Sequence, residues 1–179
     1  MSVYLTIDPY CEAQWRLLLA RAEALTGYVL DEGTEDYLVQ LLIRVATHPE
    51  LLSGLLSLDR LTAQQPAGRS RLEYLQDIGD QCLLFAGLFP DQITERMVRL
   101  SYFASLGRTA YQQAHELSSA TPYAQLATGF LSVVELLQAM HELGEEGSAL
   151  TPLHAFELWD DTGSDRALRY IQALTSAIP

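Results

Sequence analysis

The chain has 179 residues, of which 49% are hydrophobic and only 19% are charged. A chain of this size and composition can bury a core without disulfide or metal support, which excludes an intrinsically disordered protein. Its net charge is −12 and all 11 basic residues are arginines. This acidic balance argues against binding to nucleic-acid phosphates and against docking on an anionic membrane.

The beginning of the sequence and its two cysteines bear on location. The first residues lack the basic flank and the long apolar run of a signal peptide. No apolar run approaches the roughly 18–20 residues that span a bilayer. Cys11 and Cys82 form neither a disulfide framework nor a CxxC pair. We therefore expect a cytoplasmic protein with reduced thiols.

Up to eight helices are predicted from capping residues, stop signals and an apolar period of 3.6 residues. Asp8, Thr121 and Thr151 each precede a proline, which suits the first turn of a helix because it has no N–H to leave unpaired. Ser164 caps the last predicted helix, and Gly27 ends the first one. The predicted helices are residues 9–26, 34–47, 51–58, 70–88, 92–117, 121–143, 152–161 and 165–177.

Only residues 1–7 and 28–30 are predicted as extended, and they are candidates for a short two-stranded patch. No linker and no internal repeat divides the chain. The prediction is therefore a single all-α domain over residues 1–179. It is an irregular bundle of seven to eight helices, built around the helices at 70–88, 92–117 and 121–143.

Polar residues lie at helical spacing within and just after the most apolar part of the chain. Asp77 and Asp80 share one stripe of the helix at 70–88, and Arg108, Tyr111 and His115 share one stripe of the next helix. Buried polar groups need partners, so these side chains either form an internal Asp–Arg–Tyr network or line a ligand-binding cleft. The candidate arginine partners of Asp80 are Arg96, Arg99 and Arg108.

No catalytic residue, metal site or cofactor is predicted. The sequence has no nucleophile elbow and no glycine-rich phosphate loop. The paired Glu-x-x-His motif of helical di-metal sites is also missing. Cys82 lies in the most apolar run of the chain, where burial raises a thiol pKa and makes the group inert.

Three segments carry more specific patterns. Residues 78–90 contain Gly-Asp followed by Gly-Leu-Phe-Pro, residues 102–111 contain Tyr followed by Gly-Arg and Tyr, and residues 158–167 contain Trp-x-x-Thr-Gly-Ser-x-Arg-Ala. In these segments the chain resembles a family of uncharacterised bacterial all-helical cytosolic proteins. The resemblance implies a bacterial, cytosolic helical protein and carries over no catalytic residue.

Two functions of different class are compatible with the sequence. The second, third and sixth helices are leucine-rich and offer more apolar faces than one domain of this size buries. This favours a non-enzymatic interaction or scaffolding protein, as a homodimer or with another protein partner. The alternative is a small-molecule-binding bundle, including an enzyme, with its cleft between the helices at 70–88 and 92–117. The ligand-binding candidates are Asp77, Asp80, Arg108, Tyr111 and His115.

Overall fold

The computed structural model describes residues 9–48, 70–89 and 99–144, together with 159–160, 168–169 and 172. Within these residues there are six helices and no strand, which confirms the all-α prediction. The predicted helix at 51–58 and the extended segment at 1–7 lie outside the described residues. The helices are α1 (Pro9–Thr26), α2 (Glu32–Thr47), α3 (Arg71–Leu88), α4 (Leu100–Ser118), α5 (Thr121–Thr128) and α6 (Phe130–Gly144).

The predicted helices at 152–161 and 165–177 fall mostly outside the described residues. Residues 159–160, 168–169 and 172, which belong to these two segments, are helical. The described part of the chain has six helices, fewer than the seven to eight predicted, and two of the six arise from the one helix predicted at 121–143. None of those helices is long and apolar enough to cross a membrane.

Local capping fixes the starts of α2 and α3. Ser70 and Glu73 form a reciprocal capping box at the start of α3, and this helix ends at Leu88 as predicted. The predicted start of the second helix at Thr34 was wrong. Asp31 is the N-cap, because its Oδ1 accepts the Thr34 N–H at 2.8 Å, and α2 therefore begins at Glu32.

Two predicted long helices are interrupted. Arg99 has extended backbone angles (φ −71°, ψ 143°), so α4 begins at Leu100, and the predicted helical residues 92–98 lie outside the described residues. The predicted helix at 121–143 is divided at Gly129 into α5 and α6. The Tyr28 hydroxyl lies so close to Gly129 that a Cβ there would overlap it. The missing Cβ of Gly129 thus leaves room for the Tyr28 side chain from the loop after α1.

The segment after α1 is a loop and forms no strand. Gly27 ends α1 with a left-handed backbone (φ +74°), a conformation that favours glycine. The loop is then held at two points by side chains. The Leu30 N–H donates to Glu23 Oε1 at 2.9 Å, and the Asp31 N–H donates to Gln125 Oε1 at 3.0 Å. The extended prediction for 28–30 is correct only in that these residues are not helical.

A polar cluster joins α1 to the start of α2. The Arg16 guanidinium contacts three carboxylates, at 2.8 Å from Glu12, 3.0 Å from Glu35 and 2.6 Å from Asp36. These acids raise the arginine pKa further above its usual value. Three carboxylates around one guanidinium leave the cluster net negative, with α1 fixed against α2.

Helix α3 is the centre of the bundle, with α4 and α6 packed against it. It is buried on all sides from Ile78 to Gly87. Glycines on α3 and α4 let neighbouring side chains pack directly on the helix backbone. A Cβ at Gly79 would lie 2.6 Å from the Tyr111 ring, and one at Gly107 would lie 2.5 Å from the Phe130 ring.

The end of α3 receives a side-chain hydrogen bond from α6. Pro90 has no N–H, so it cannot donate to the carbonyl of Ala86 four residues earlier. The buried Gln138 side chain donates to this carbonyl instead, at 3.1 Å. A carbonyl that would be buried without a partner is thereby satisfied, and α6 is aligned with the end of α3.

Candidate functional site

The predicted polar residues lead to a buried carboxylate, that of Asp80 on α3, which is only 3% exposed. Its Oδ1 accepts two tyrosine hydroxyls, from Tyr37 at 2.5 Å and from Tyr111 at 2.8 Å. Its Oδ2 accepts a hydrogen bond from the Arg44 guanidinium at 3.0 Å. We call Asp80, Tyr37, Tyr111 and Arg44 the Asp80 network; it joins α2, α3 and α4.

Aromatic rings enclose the Asp80 network. The Tyr123 ring of α5 stacks on Tyr111, with centroids 6.2 Å apart and planes at 21°. It also meets Tyr37 edge-on, with centroids 5.7 Å apart and planes at 76°. The rings keep water from the carboxylate on the α4 and α5 side, whereas the Arg44 side chain is half exposed and leads to the surface.

Burial dominates the electrostatics of the network. It raises the pKa of Asp80 to about 6, although the two tyrosine hydroxyls and Arg44 all stabilise the charged form. The negative charge of half-buried Asp77 adds a small further rise in that pKa. Burial also raises the pKa values of Tyr37 and Tyr111 well above that of free tyrosine. Both phenols therefore stay protonated as donors, and each Asp80 oxygen has a hydrogen-bond donor from the protein.

The five predicted ligand residues do not line one common cleft. Asp80 and Tyr111 meet in the core, as the network interpretation predicted. Arg108 lies on the exposed side of α4, away from the buried face that carries Tyr111. The His115 ring lies near the end of α4, where its Nδ1 is 3.0 Å from the carbonyl oxygen of Ala120.

The arginine partner of Asp80 is a correction to the sequence prediction. The partner is Arg44 on α2, and none of the three predicted arginines fills this role among the described residues. Arg99 instead pairs with Asp160 at the surface, at 3.2 Å, and Arg96 lies outside the described residues. Tyr37 and Arg44 were missed, although their spacing of seven residues places both on one face of α2.

Arg108 lines an open polar groove of about 660 Å³ between α4 and the α5–α6 junction. Within the described part of the chain, the Arg108 side chain has no hydrogen bond and no ion pair. The groove is otherwise lined by small, polar or short apolar side chains: Ser101, Ala104, Ser105, Thr109, Gln112, Gln113, Glu116, Ala127, Thr128 and Leu131. Of the five ligand-binding candidates, Arg108 is thus the one that lines this groove.

Two further kinds of site, a metal centre and a reactive thiol, were looked for among the described residues. They contain no group of three or more His, Cys, Asp or Glu side chains that could hold a metal ion. Cys82 is fully buried, and burial raises the pKa of its thiol to about 12, as the sequence prediction expected.

Exposed apolar side chains are concentrated on α1 and just beyond it. Leu17 is 62% exposed, Leu25 is 61% exposed and Val29 is 69% exposed. Three alanines, at positions 13, 20 and 24, are also exposed. We call Ala13, Leu17, Ala20 and Ala24 the α1 seam, because their spacings of four, three and four residues place them along one side of the helix.

The apolar faces that the sequence singled out are, by contrast, buried. Helix α2 buries its leucines, its valines and Ile43, and α6 buries its apolar residues from Phe130 to Met140 except Leu131. The expectation of leftover apolar surface on the second and sixth helices was therefore wrong for α2, α5 and α6. Among the described residues, Leu17 and Leu25 on α1 remain exposed.

The fold and these surfaces define an all-α protein with a closed polar network and an exposed apolar helix face. Comparisons of the chain with protein-family models, with curated proteins and with solved structures find no match.

Proposed function

We propose that this is a non-enzymatic interaction protein, which associates through the exposed face of α1 and forms a homodimer in this way. The observation that carries the proposal is the α1 seam with its exposed neighbours Leu25 and Val29. Exposed apolar side chains grouped on one helix are a candidate interaction surface in a soluble protein. A cytoplasmic location in a bacterium, expected from the sequence and from the family resemblance, is part of the same proposal.

The hydrogen bonding within the Asp80 network supports the non-enzymatic part of the proposal. Every hydrogen-bonding group around the Asp80 carboxylate is a donor from the protein itself, and three donors already occupy its two oxygens. A substrate would have to displace a buried tyrosine hydroxyl or Arg44 to reach it. Such displacement is unfavourable because it leaves a buried charge without its partner.

The substitution Leu17→Glu tests the function. Glutamate places a charge in the apolar α1 seam, so the dimer should dissociate while the fold persists, because Leu17 is largely exposed. Sedimentation equilibrium and native mass spectrometry of the wild type and the variant measure the change. Leu117→Glu is the matched control, because Leu117 on α4 is 57% exposed and lies outside the seam.

Two results would refute the proposed function. The first is a wild-type protein that remains monomeric at all concentrations. The second is an equal loss of dimer in Leu17→Glu and Leu117→Glu. Added charge anywhere on the surface would then explain the dissociation. Circular dichroism of each variant confirms that the helices are intact.

One observation favours a second function, the binding of a small polar or anionic molecule. Arg108 is unpaired among the described residues and lies in the α4 groove with the hydroxyls of Ser101, Ser105 and Thr109. The volume of about 660 Å³ is within the range of small-molecule sites. The same native mass spectra distinguish the two functions, since a bound molecule adds mass beyond a whole multiple of the chain mass.

A further inference from the structure

We propose that a pocket among α1, α2, α6 and the end of α3 binds a small, neutral aromatic molecule. The pocket has a volume of about 280 Å³ and shares no lining residue with the α4 groove. Binding there requires neither a dimer nor any residue of the α1 seam, and so goes beyond the proposed function. We call it the apolar pocket.

The apolar pocket has a buried floor and a half-buried rim. Leu42 of α2 and Met140 of α6 are 2% and 3% exposed and form the floor. Leu18 of α1 and Leu88, the last residue of α3, are half-buried and belong to the rim. Water in a pocket lined in this way finds few hydrogen-bonding partners. An apolar molecule that displaces such water therefore binds favourably.

The side chains of the lining favour an aromatic ligand over an aliphatic one. Trp15 of α1 and Phe89, the C-cap of α3, both line the pocket. Aromatic rings attract one another in edge-to-face or offset-stacked contacts, beyond the effect of the area that they bury. The Met140 thioether makes favourable contacts with ring edges and adapts to the shape of a bound ring. His141 adds an imidazole to the lining, which suits a ring that carries one polar atom.

The volume of the pocket defines the size of the ligand. A dry cavity of about 150 Å³ in a protein core holds one benzene molecule. The apolar pocket, at about 280 Å³, has a little less than twice that volume. It therefore accommodates one ring or two fused rings, and a larger ring system would not be enclosed.

The charges of the chain favour a neutral ligand. The described side chains that line the pocket include no Arg, Lys, Asp or Glu. Arg16, which follows Trp15 in the sequence, is already engaged by three carboxylates of α1 and α2. The net charge of −12 also repels anions from the protein as a whole. A carboxylate on the ligand would thus enter the pocket without a partner for its charge, which is unfavourable.

Titration of the whole chain with indole tests the proposal. Indole is neutral and has two fused rings with one N–H, and isothermal titration calorimetry measures its dissociation constant. Leu18→Phe fills part of the pocket and should weaken indole binding by about tenfold or more. Leu17→Phe is the matched control, because it makes the same change at the neighbouring residue, which is 62% exposed. It should change the dissociation constant by less than about twofold.

A second variant and a measurement on the wild type keep the test independent of the folding of Leu18→Phe. Leu88→Phe fills the pocket from the end of α3 and should have the same effect on indole binding. In the wild type, with its three methionine methyl groups labelled with carbon-13, indole should shift the NMR signal of Met140.

Four results would refute the inference. One is a wild-type protein that binds no indole, and another is one that binds indole-3-acetate as tightly as indole, since the pocket offers no partner for a carboxylate. Equal weakening in Leu17→Phe and Leu18→Phe would place the site outside the pocket. Loss of indole binding in Arg108→Ala, with the Met140 signal unmoved in the wild type, would place it in the α4 groove. The oligomeric state measured for the proposed function bears on none of these results.

Discussion

Asp80 shows how one buried carboxylate organises three helices. Tyr37 on α2, Tyr111 on α4 and Arg44 on α2 all donate to it, so the orientation of each helix around α3 depends on one residue. A buried charge with all its partners is tolerated, whereas the loss of one partner leaves the others unpaired in a medium of low dielectric. The network therefore specifies how the helices pack more than it adds stability.

The raised pKa of Asp80 predicts a pH-dependent stability that Asp80→Asn should remove. An acid whose pKa rises from 3.8 to about 6 on folding is more easily protonated in the folded state. Its favourable contribution is complete below about pH 4 and is lost as the pH rises through about 6. The shift corresponds to about 3 kcal/mol of unfolding free energy. Urea unfolding of wild type and variant over this pH range measures the difference between them.

The control for this experiment removes a negative charge elsewhere. Glu116→Gln changes an exposed acid on α4 and should leave the pH dependence of the wild type almost unchanged. If Asp80→Asn follows the same pH curve as the wild type, Asp80 does not titrate in this range, and the burial argument for its pKa is wrong.

Among the helices, close packing at glycine distinguishes α3 and α4 from the rest. Gly79 carries no Cβ, and the Tyr111 ring fills the space that a Cβ would need. Tyr111 cannot easily move away, because its hydroxyl is bound to Asp80 and its ring is stacked on Tyr123. The polar network and the helix packing therefore constrain each other at this position.

We expect Gly79→Ala to destabilise the fold by about 1–3 kcal/mol, the usual cost of inserting a methyl group into a well-packed core. The preference of helices for alanine over glycine would by itself stabilise the fold by about 1 kcal/mol. Gly33→Ala on α2 isolates that preference, because a Cβ there makes ordinary contacts of 3.5 Å or more. Thermal unfolding of both variants measures the two effects. Equal stabilisation by both substitutions would contradict the close contact at Gly79.

Local signals predicted the helices well wherever the cause is local. The end of α3 at Leu88, just before Phe89 and Pro90, follows from neighbouring residues and was predicted directly from the sequence. The division at Gly129 could not be predicted in this way. The apolar period continues across it, and Tyr28, whose side chain lies against Gly129, is distant in sequence and close only in the folded chain.

At the scale of the whole molecule, the sequence predicted two of the polar residues in the core, Asp80 and Tyr111, but not their further partners. Helical spacing correctly placed Asp80 and Tyr111 on facing stripes. The remaining partners lie 36 and 43 residues before Asp80, at Arg44 and Tyr37, and helical periodicity does not reveal which helix packs on which. Helix α1 presents the same difficulty. Its residues are apolar on most sides, so the sequence does not tell the buried face of Leu19 from the exposed face of Leu17.

The dimer proposed for the whole molecule predicts a melting temperature that depends on concentration. Association of folded chains stabilises them by mass action, so each tenfold increase in concentration above the dissociation constant adds about 1.4 kcal/mol per dimer. Shared between two chains of 179 residues, this should raise the melting temperature by about 2 °C. Leu17→Glu should abolish the dependence, and Leu117→Glu should keep it. A melting temperature that is constant for the wild type would exclude the dimer. A dependence that survives Leu17→Glu would place the contact on a surface other than α1.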